Sequence, residues 1–168
     1  MSELEVVRGP LLEDRPERPT VGIRETVPFR TMLSNRDRLL QELIAPQARH
    51  DVEPEGPFFL RLHVVDMQGL MQIEVGVPAT SSSTDGRVQG GSMPAGRYAV
   101  LAYRAKSMAA NRRLHAWIEG EGWQLDSAPH PEGEAFAGRF ETYLTDPRTE
   151  RRKTQWVVEL AFKIRPRR

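Results

Sequence analysis

The last apolar run of the chain, "QWVVELAFKIR", carries one carboxylate, Glu159, among Trp156, Val157, Val158, Leu160, Ala161, Phe162 and Ile164. A carboxylate in such company must be solvated, paired, protonated or available to a cation. Strand alternation places Glu159 with Val157 and Ala161, and the bulky residues on the opposite, core-facing side. The small-residue face either meets water, where a glutamate is ordinary, or borders a cavity. In "RFETYL", Glu141 and Tyr143 are two apart and therefore share one side of their strand. If that strand pairs with the last one, Glu141, Glu159 and Tyr143 can share a patch. Carboxylates beside aromatic rings suit an organic cation, through charge and cation–π attraction. The same three residues are the candidate catalytic groups, as general acid or base, should burial raise one pKa toward neutrality. A solvated strand face is the alternative for Glu141 and Tyr143 as well.

Further aromatic residues fall into two groups. Tyr98 and Tyr103 lie on opposite faces of "GRYAVLAY", so only one of them can face a given cavity. Trp117, at helical spacing with Leu114 and Ile118, is either core or a ligand platform. Trp123 follows a glycine stop and is expected to fold back over the helix end.

Other chemistries lack their residues. His50, His63, His115 and His130 are scattered without ligand spacing, and there is no cysteine, so no metal site is expected. The serines Ser81 to Ser83 sit in a polar stretch without a nucleophile elbow. "GRVQGG" lacks the lysine and the strand–helix context of a phosphate loop, and no cofactor is expected.

A net charge of +1 over 168 residues provides no field for nucleic acid or a membrane surface. The basic clusters are Arg151-Arg152-Lys153 and Arg165, Arg167 and Arg168, which read as solvated edges. No apolar run approaches membrane-helix length and "MSELEVV" is not a signal peptide, so a cytoplasmic location is expected.

The elements that must hold these residues come in two series. Residues 1–19, dense in charge and carrying Pro10, Pro16 and Pro19, read as a flexible arm ahead of one domain over 20–168. "RETVPF" reads as a strand. "TMLSNRDRLLQELIA" reads as a helix with Leu39, Leu40, Leu43 and Ile44 on one face, stopped by Pro46. "PFFLRLHVVD" and "LMQIEVGVP" alternate as strands, and "TSSSTDGRVQGGS" reads as a polar loop. The series restarts with "AGRYAVLAYRA" (strand), "NRRLHAWIEGEGW" (helix), "AFAGRFETYLTDP" (strand) and "WVVELAFKI" (strand). Two strand–helix–strand–strand units, about 20–79 and 93–166, predict a duplicated α+β architecture with pseudo-twofold symmetry. The alignment sets Glu74 opposite Glu159.

"PAGRYAVLAYRA", "RLHAWIEGEGW", "RFETYLTDP" and "WVVELAFKI", with "MQIEVGVPA" earlier, resemble in order and spacing a GyrI-like small-molecule-binding domain. That family also forms the effector-binding part of multidrug-responsive and AraC-type transcription activators. The resemblance covers about residues 20–166. It implies a curved antiparallel sheet with helices on one face and a central ligand cleft. Family members take lipophilic, often cationic compounds beside an acidic residue among aromatics. The family segment E-x-Y-x-x-x-P corresponds to Glu141, Tyr143 and Pro147, and its final-strand acid to Glu159. The expectation is a stand-alone binding protein for a hydrophobic or cationic small molecule, a drug or toxin. Glu159, Glu141, Tyr143, Tyr103 and Trp117 would line its cleft. Two alternatives stay open: a hydrolase of strained, cyclopropane-bearing toxins using the same glutamates, and a protein-interaction module for gyrase or a regulator. Ala161 stands where many relatives have an aromatic residue, which leaves the ligand class open. The first 19 residues cannot hold a DNA-binding module, so direct DNA contact is not expected. Monomer and homodimer are both compatible.

Overall fold

The computed structural model describes residues 3–45, 53–80 and 86–166. Pro46, His50, Ser81 to Ser83, Arg167 and Arg168 lie outside the described residues. The first half runs β1 (Glu5–Arg15), β2 (Arg18–Pro28), α1 (Met32–Ile44), β3 (Phe59–Val65) and β4 (Leu70–Pro78). The second runs β5 (Val88–Met93), β6 (Gly96–Arg104), α2 (Ser107–Gly120), a β7 (Ser127–His130) and β8 (Gly133–Phe136) hairpin, β9 (Arg139–Tyr143) and β10 (Val158–Lys163). Apart from that hairpin, both halves have the connectivity strand–strand–helix–strand–strand.

The strands form one open antiparallel sheet in the order β1-β6-β10-β9-β3-β4-β2-β5, with β8 joining the hairpin to β3. The first strand of each half is exchanged: β1 pairs with β6 and β5 pairs with β2. The fold is therefore α+β, with the two halves meeting at β3–β9.

Period-2 alternation gives the sheet two unequal faces. One carries Ile23, Leu60, Ile73, Val75, Leu101, Tyr143, Leu160 and Phe162 and receives both helices through Leu39, Leu40 and Leu43 and through Ala110, Leu114 and Ile118. The opposite face has a smaller cluster of Phe59, Tyr98, Val100, Phe140 and Ala161, with Leu11 and Met93 packed on it. Tyr98 and Tyr103 thus fall on opposite faces, as alternation requires. α1 ends at Ala45, whose extended ψ of 138° suits the residue before a proline. Beyond the end of α2, Gly122 takes φ +77° while the Trp123 N–H donates to the Ile118 carbonyl at 3.0 Å. That turn folds Trp123 back onto the helix-side core.

Three readings change. Residues 5–15, expected as a flexible arm, are an eleven-residue strand. Val6 and Leu12 pack on the helix-side core and Leu11 on the opposite cluster, while Asp14 receives the Arg97 guanidinium at 2.9 Å. The prolines stand where a strand tolerates them: Pro10 within the register shift between Arg8 and Leu11, Pro16 in the turn to β2. Residues 88–93, expected within a loop, are β5, because β2 offers a free edge on which Val88 is buried against Ile23. "AFAGRFETYL" is two strands instead of one, with the chain passing from β8 to β9 at Ala137 and Gly138.

Candidate functional site

α1 packs on β2 and β4, and α2 packs on β6 and β1. β10, β9 and β3 lie between the strands that carry the two helices, and their helix-side face is the floor between α1 and α2. Alternation along β9 turns Arg139, Glu141 and Tyr143 onto that floor. Tyr103, reaching across from β6, donates its phenol O–H to Glu141 Oε1 at 3.3 Å. Arg36 projects inward from α1. It is only 6% exposed, and its Nη1 donates to the Tyr143 hydroxyl at 3.3 Å. Its guanidinium carbon lies 5.3 Å from the centre of the Tyr143 ring and 5.8 Å from that of Trp156. Those rings are 5.4 Å apart and tilted at 59°. Arg36 Nε and Nη2 donate to Asp37 Oδ1 at 3.0 and 2.8 Å, and Asp37 also receives Lys153 at the surface.

The floor is electrostatically loaded. Burial pushes the Glu141 carboxyl above its usual pKa, although Arg36, the Tyr103 hydrogen bond and Arg139 pull the other way. Burial likewise raises Tyr103 and Tyr143, and the neighbouring Glu141 charge adds to it. Burial opposes the charge on Arg36, but the Tyr143 oxygen, Glu141 and Asp37 outweigh it and hold the proton more firmly. Burial lowers Arg139 to about 10. Its guanidinium stacks on Phe136 and Phe162 at 4.8 and 4.6 Å, and its Nε has no hydrogen-bond partner among the described residues.

The raised Glu141 pKa has a direct consequence for stability. The folded state holds this proton more tightly than the unfolded chain, whose reference value is 4.5. The associated stabilisation is complete below that value and is lost as pH rises through the folded pKa. Glu141→Gln, which cannot ionise, should therefore melt above the wild type at pH 8, with the gap closing toward pH 4. Equal gaps at both pH values in a thermal melt would show that the carboxylate is not strained by burial.

The residues singled out in the sequence divide between the two faces. Glu141, Tyr143 and Tyr103 share the helix side, and Trp117 of α2 packs half-buried against the same core. Glu159 does not join them. β9 and β10 do pair, but with Leu160 opposite Glu141 and Glu159 opposite Thr142, so the two glutamates point to opposite faces. The expected shared patch is corrected by this register. Glu159 accepts a 2.8 Å hydrogen bond from Arg15 Nη2, and the same guanidinium lies 5.7 Å from the centre of the Tyr98 ring. Glu74 also faces away from the helices and accepts 2.7 Å from His63 Nε2. Burial lowers the His63 pKa despite that bond. Among the described residues, no group of three or more histidine and acidic side chains is placed to hold a metal ion.

Sequence reasoning missed Arg36. The signal was present: Arg36 precedes Leu39, Leu40 and Leu43 by three, four and seven, the spacing of one helix face. An arginine on the apolar stripe of a helix needs a buried partner, and Tyr143, Trp156 and Asp37 supply it.

The fold has solved counterparts. The EcmrR C-terminal domain superposes with a TM-score of 0.71 at 18% identity, over 94% of this chain and 97% of that one. SAV2435 bound to tetraphenylphosphonium gives 0.61 at 15% identity, over 92% of this chain and 93% of that one. In an EcmrR–DNA complex the TM-score is 0.72 at 16% identity; 98% of this chain is covered, but it spans only 58% of the EcmrR chain. A comparison with curated protein sequences gives no match. The model of the GyrI-like small molecule binding domain matches residues 10–165, nearly the whole length, and the chain belongs to that family.

Proposed function

We propose that this protein binds a small organic molecule in the groove between α1 and α2, on a floor made by Glu141, Tyr103 and Tyr143. The observation that carries the reading is Glu141 itself. A carboxyl held at raised pKa in the floor of a groove, hydrogen-bonded to one phenol and beside another, has little structural purpose. As a polar group in an aromatic setting it can fix the orientation of an entering ligand. The family to which the chain belongs binds small molecules, and SAV2435, of like fold, has been captured with an organic cation. Glu159 is left out of this site because Arg15 holds it on the other face.

The test is a tryptophan-fluorescence titration with neutral aromatic dyes. Binding tighter than roughly 1 mM, an affinity of about −4 kcal/mol, is expected. Glu141→Leu should weaken it about tenfold, the loss of one buried hydrogen bond of about 1.4 kcal/mol. Glu159→Gln should leave it within about twofold, because a polar change away from the ligand is nearly neutral. Failure of dyes of every charge to bind, or equal affinity of the Glu141→Leu protein, overturns the reading.

A further inference from the structure

A cavity of about 460 Å³ opens between α1 and the segment joining β9 to β10, and its walls include Asp37, Trp156, Arg148, Arg151 and Lys153. Its size falls in the range used for small ligands. Trp156 joins the cavity to the floor: one of its neighbours is the Tyr143 ring, and Arg36 lies over it. Two rings, a phenol oxygen and a nearby carboxylate surround Arg36. These are the components of a recognition box for an organic cation, and here the chain's own guanidinium fills it. A visiting cation would have to expel a side chain that is 6% exposed and tied to Asp37 by two hydrogen bonds. It would also meet a wall on which Arg148, Arg151 and Lys153 outnumber Asp37.

Resting on the small-molecule-binding reading above, we propose that Arg36 is a built-in occupant of the cation position, and that the ligand is an aromatic anion entering through the α1 cavity. Its ring lies against Trp156, and its acidic group meets Arg151 and Lys153, with Arg36 beneath. Arg148 is less available, being bound to Asp146 through Nε and Nη2 at 3.0 and 2.9 Å. Lys153 is shared with Asp37 at the cavity mouth, while Arg151 is exposed and has no ion pair among the described residues. Asp37 screens Arg36 without cancelling the basic wall. Net charge over the whole chain is +1, so this selectivity is local, and it is built from residues far apart in sequence.

Two dyes of one xanthene skeleton and opposite charge, fluorescein and rhodamine 6G, separate the alternatives by fluorescence anisotropy. The wild type should bind fluorescein at least tenfold more tightly than rhodamine 6G. Arg151→Ala with Lys153→Ala, both at exposed positions, should weaken fluorescein about tenfold. Arg36→Met should bring rhodamine 6G to at least tenfold tighter binding, with Arg36→Lys keeping the wild-type order. A wild type that binds rhodamine 6G as well as fluorescein overturns the proposal, as does a double variant with unchanged fluorescein affinity. If neutral dyes still bind in a Glu141-dependent way in either case, anion selectivity alone falls. If no dye of any charge binds, the small-molecule reading falls with it.

Discussion

Tyr143→Ala should destabilise the protein by roughly 3–5 kcal/mol, the range for truncating a large buried aromatic side chain. Tyr143 is 1% exposed, lies on the helix-side face of β9 and packs on Trp156 at 5.4 Å. Its removal leaves a cavity and also strips Arg36 of one ring and of its hydroxyl partner. A buried cation deprived of one ring and of its hydroxyl partner adds to the loss. Tyr143→Phe keeps the ring and sacrifices only the 3.3 Å hydrogen bond, so about 1 kcal/mol is expected. The check is the urea midpoint of each variant at constant m-value. A Tyr143→Ala loss under about 1.5 kcal/mol would mean that the floor can collapse around the gap, contrary to a packed Arg36–Tyr143–Trp156 stack.

Gly9→Val should cost on the order of 3 kcal/mol, through backbone strain and collision together. Gly9 has φ +83°, and a Cβ there would lie 2.5 Å from the carbonyl oxygen of Val100 in β6. Valine, branched at Cβ, tolerates neither the dihedral nor the contact. The same change in a loose, solvated arm would alter stability by less than about 0.5 kcal/mol. Chemical denaturation therefore discriminates docked strand from free arm, and hydrogen exchange along β6 localises the effect. The consequence reaches further than the edge. β1 carries Arg15, so its detachment would also release Glu159 from its partner on the open face of the sheet.

The candidate site was partly legible in the sequence. The two-residue spacing of Glu141 and Tyr143 placed them on one side of a strand, and that relation depends only on backbone geometry. Whether Glu159 joined them did not follow, because a one-residue difference in register sends a side chain to the other face. Pairing was anticipated; register was not. Arg36 illustrates a different limit. Its place on a helix face was readable, but its aromatic partners lie more than a hundred residues away, as with the 107-residue separation from Tyr143.

Local pattern was sufficient for most of the secondary structure. Period-2 and period-3.6 apolar spacing specified β3, β4, β6, β10, α1 and α2, since each element must turn one continuous stripe toward a core. The failures were β1, β5 and the β7–β8 hairpin. β1 and β5 carry many polar or glycine residues, and their strand character comes from an edge supplied by the other half of the chain. What the sequence by itself determined is the α+β class, the strand that presents Glu141 with Tyr143, and the separation of Tyr98 from Tyr103. Tertiary structure alone decided that Glu159 is tied to Arg15 behind the sheet and that a guanidinium occupies the aromatic box in front of it. The reason is physical: periodicity is written along the chain, whereas register, edge pairing and the partner of a buried charge are settled by groups that meet only after folding.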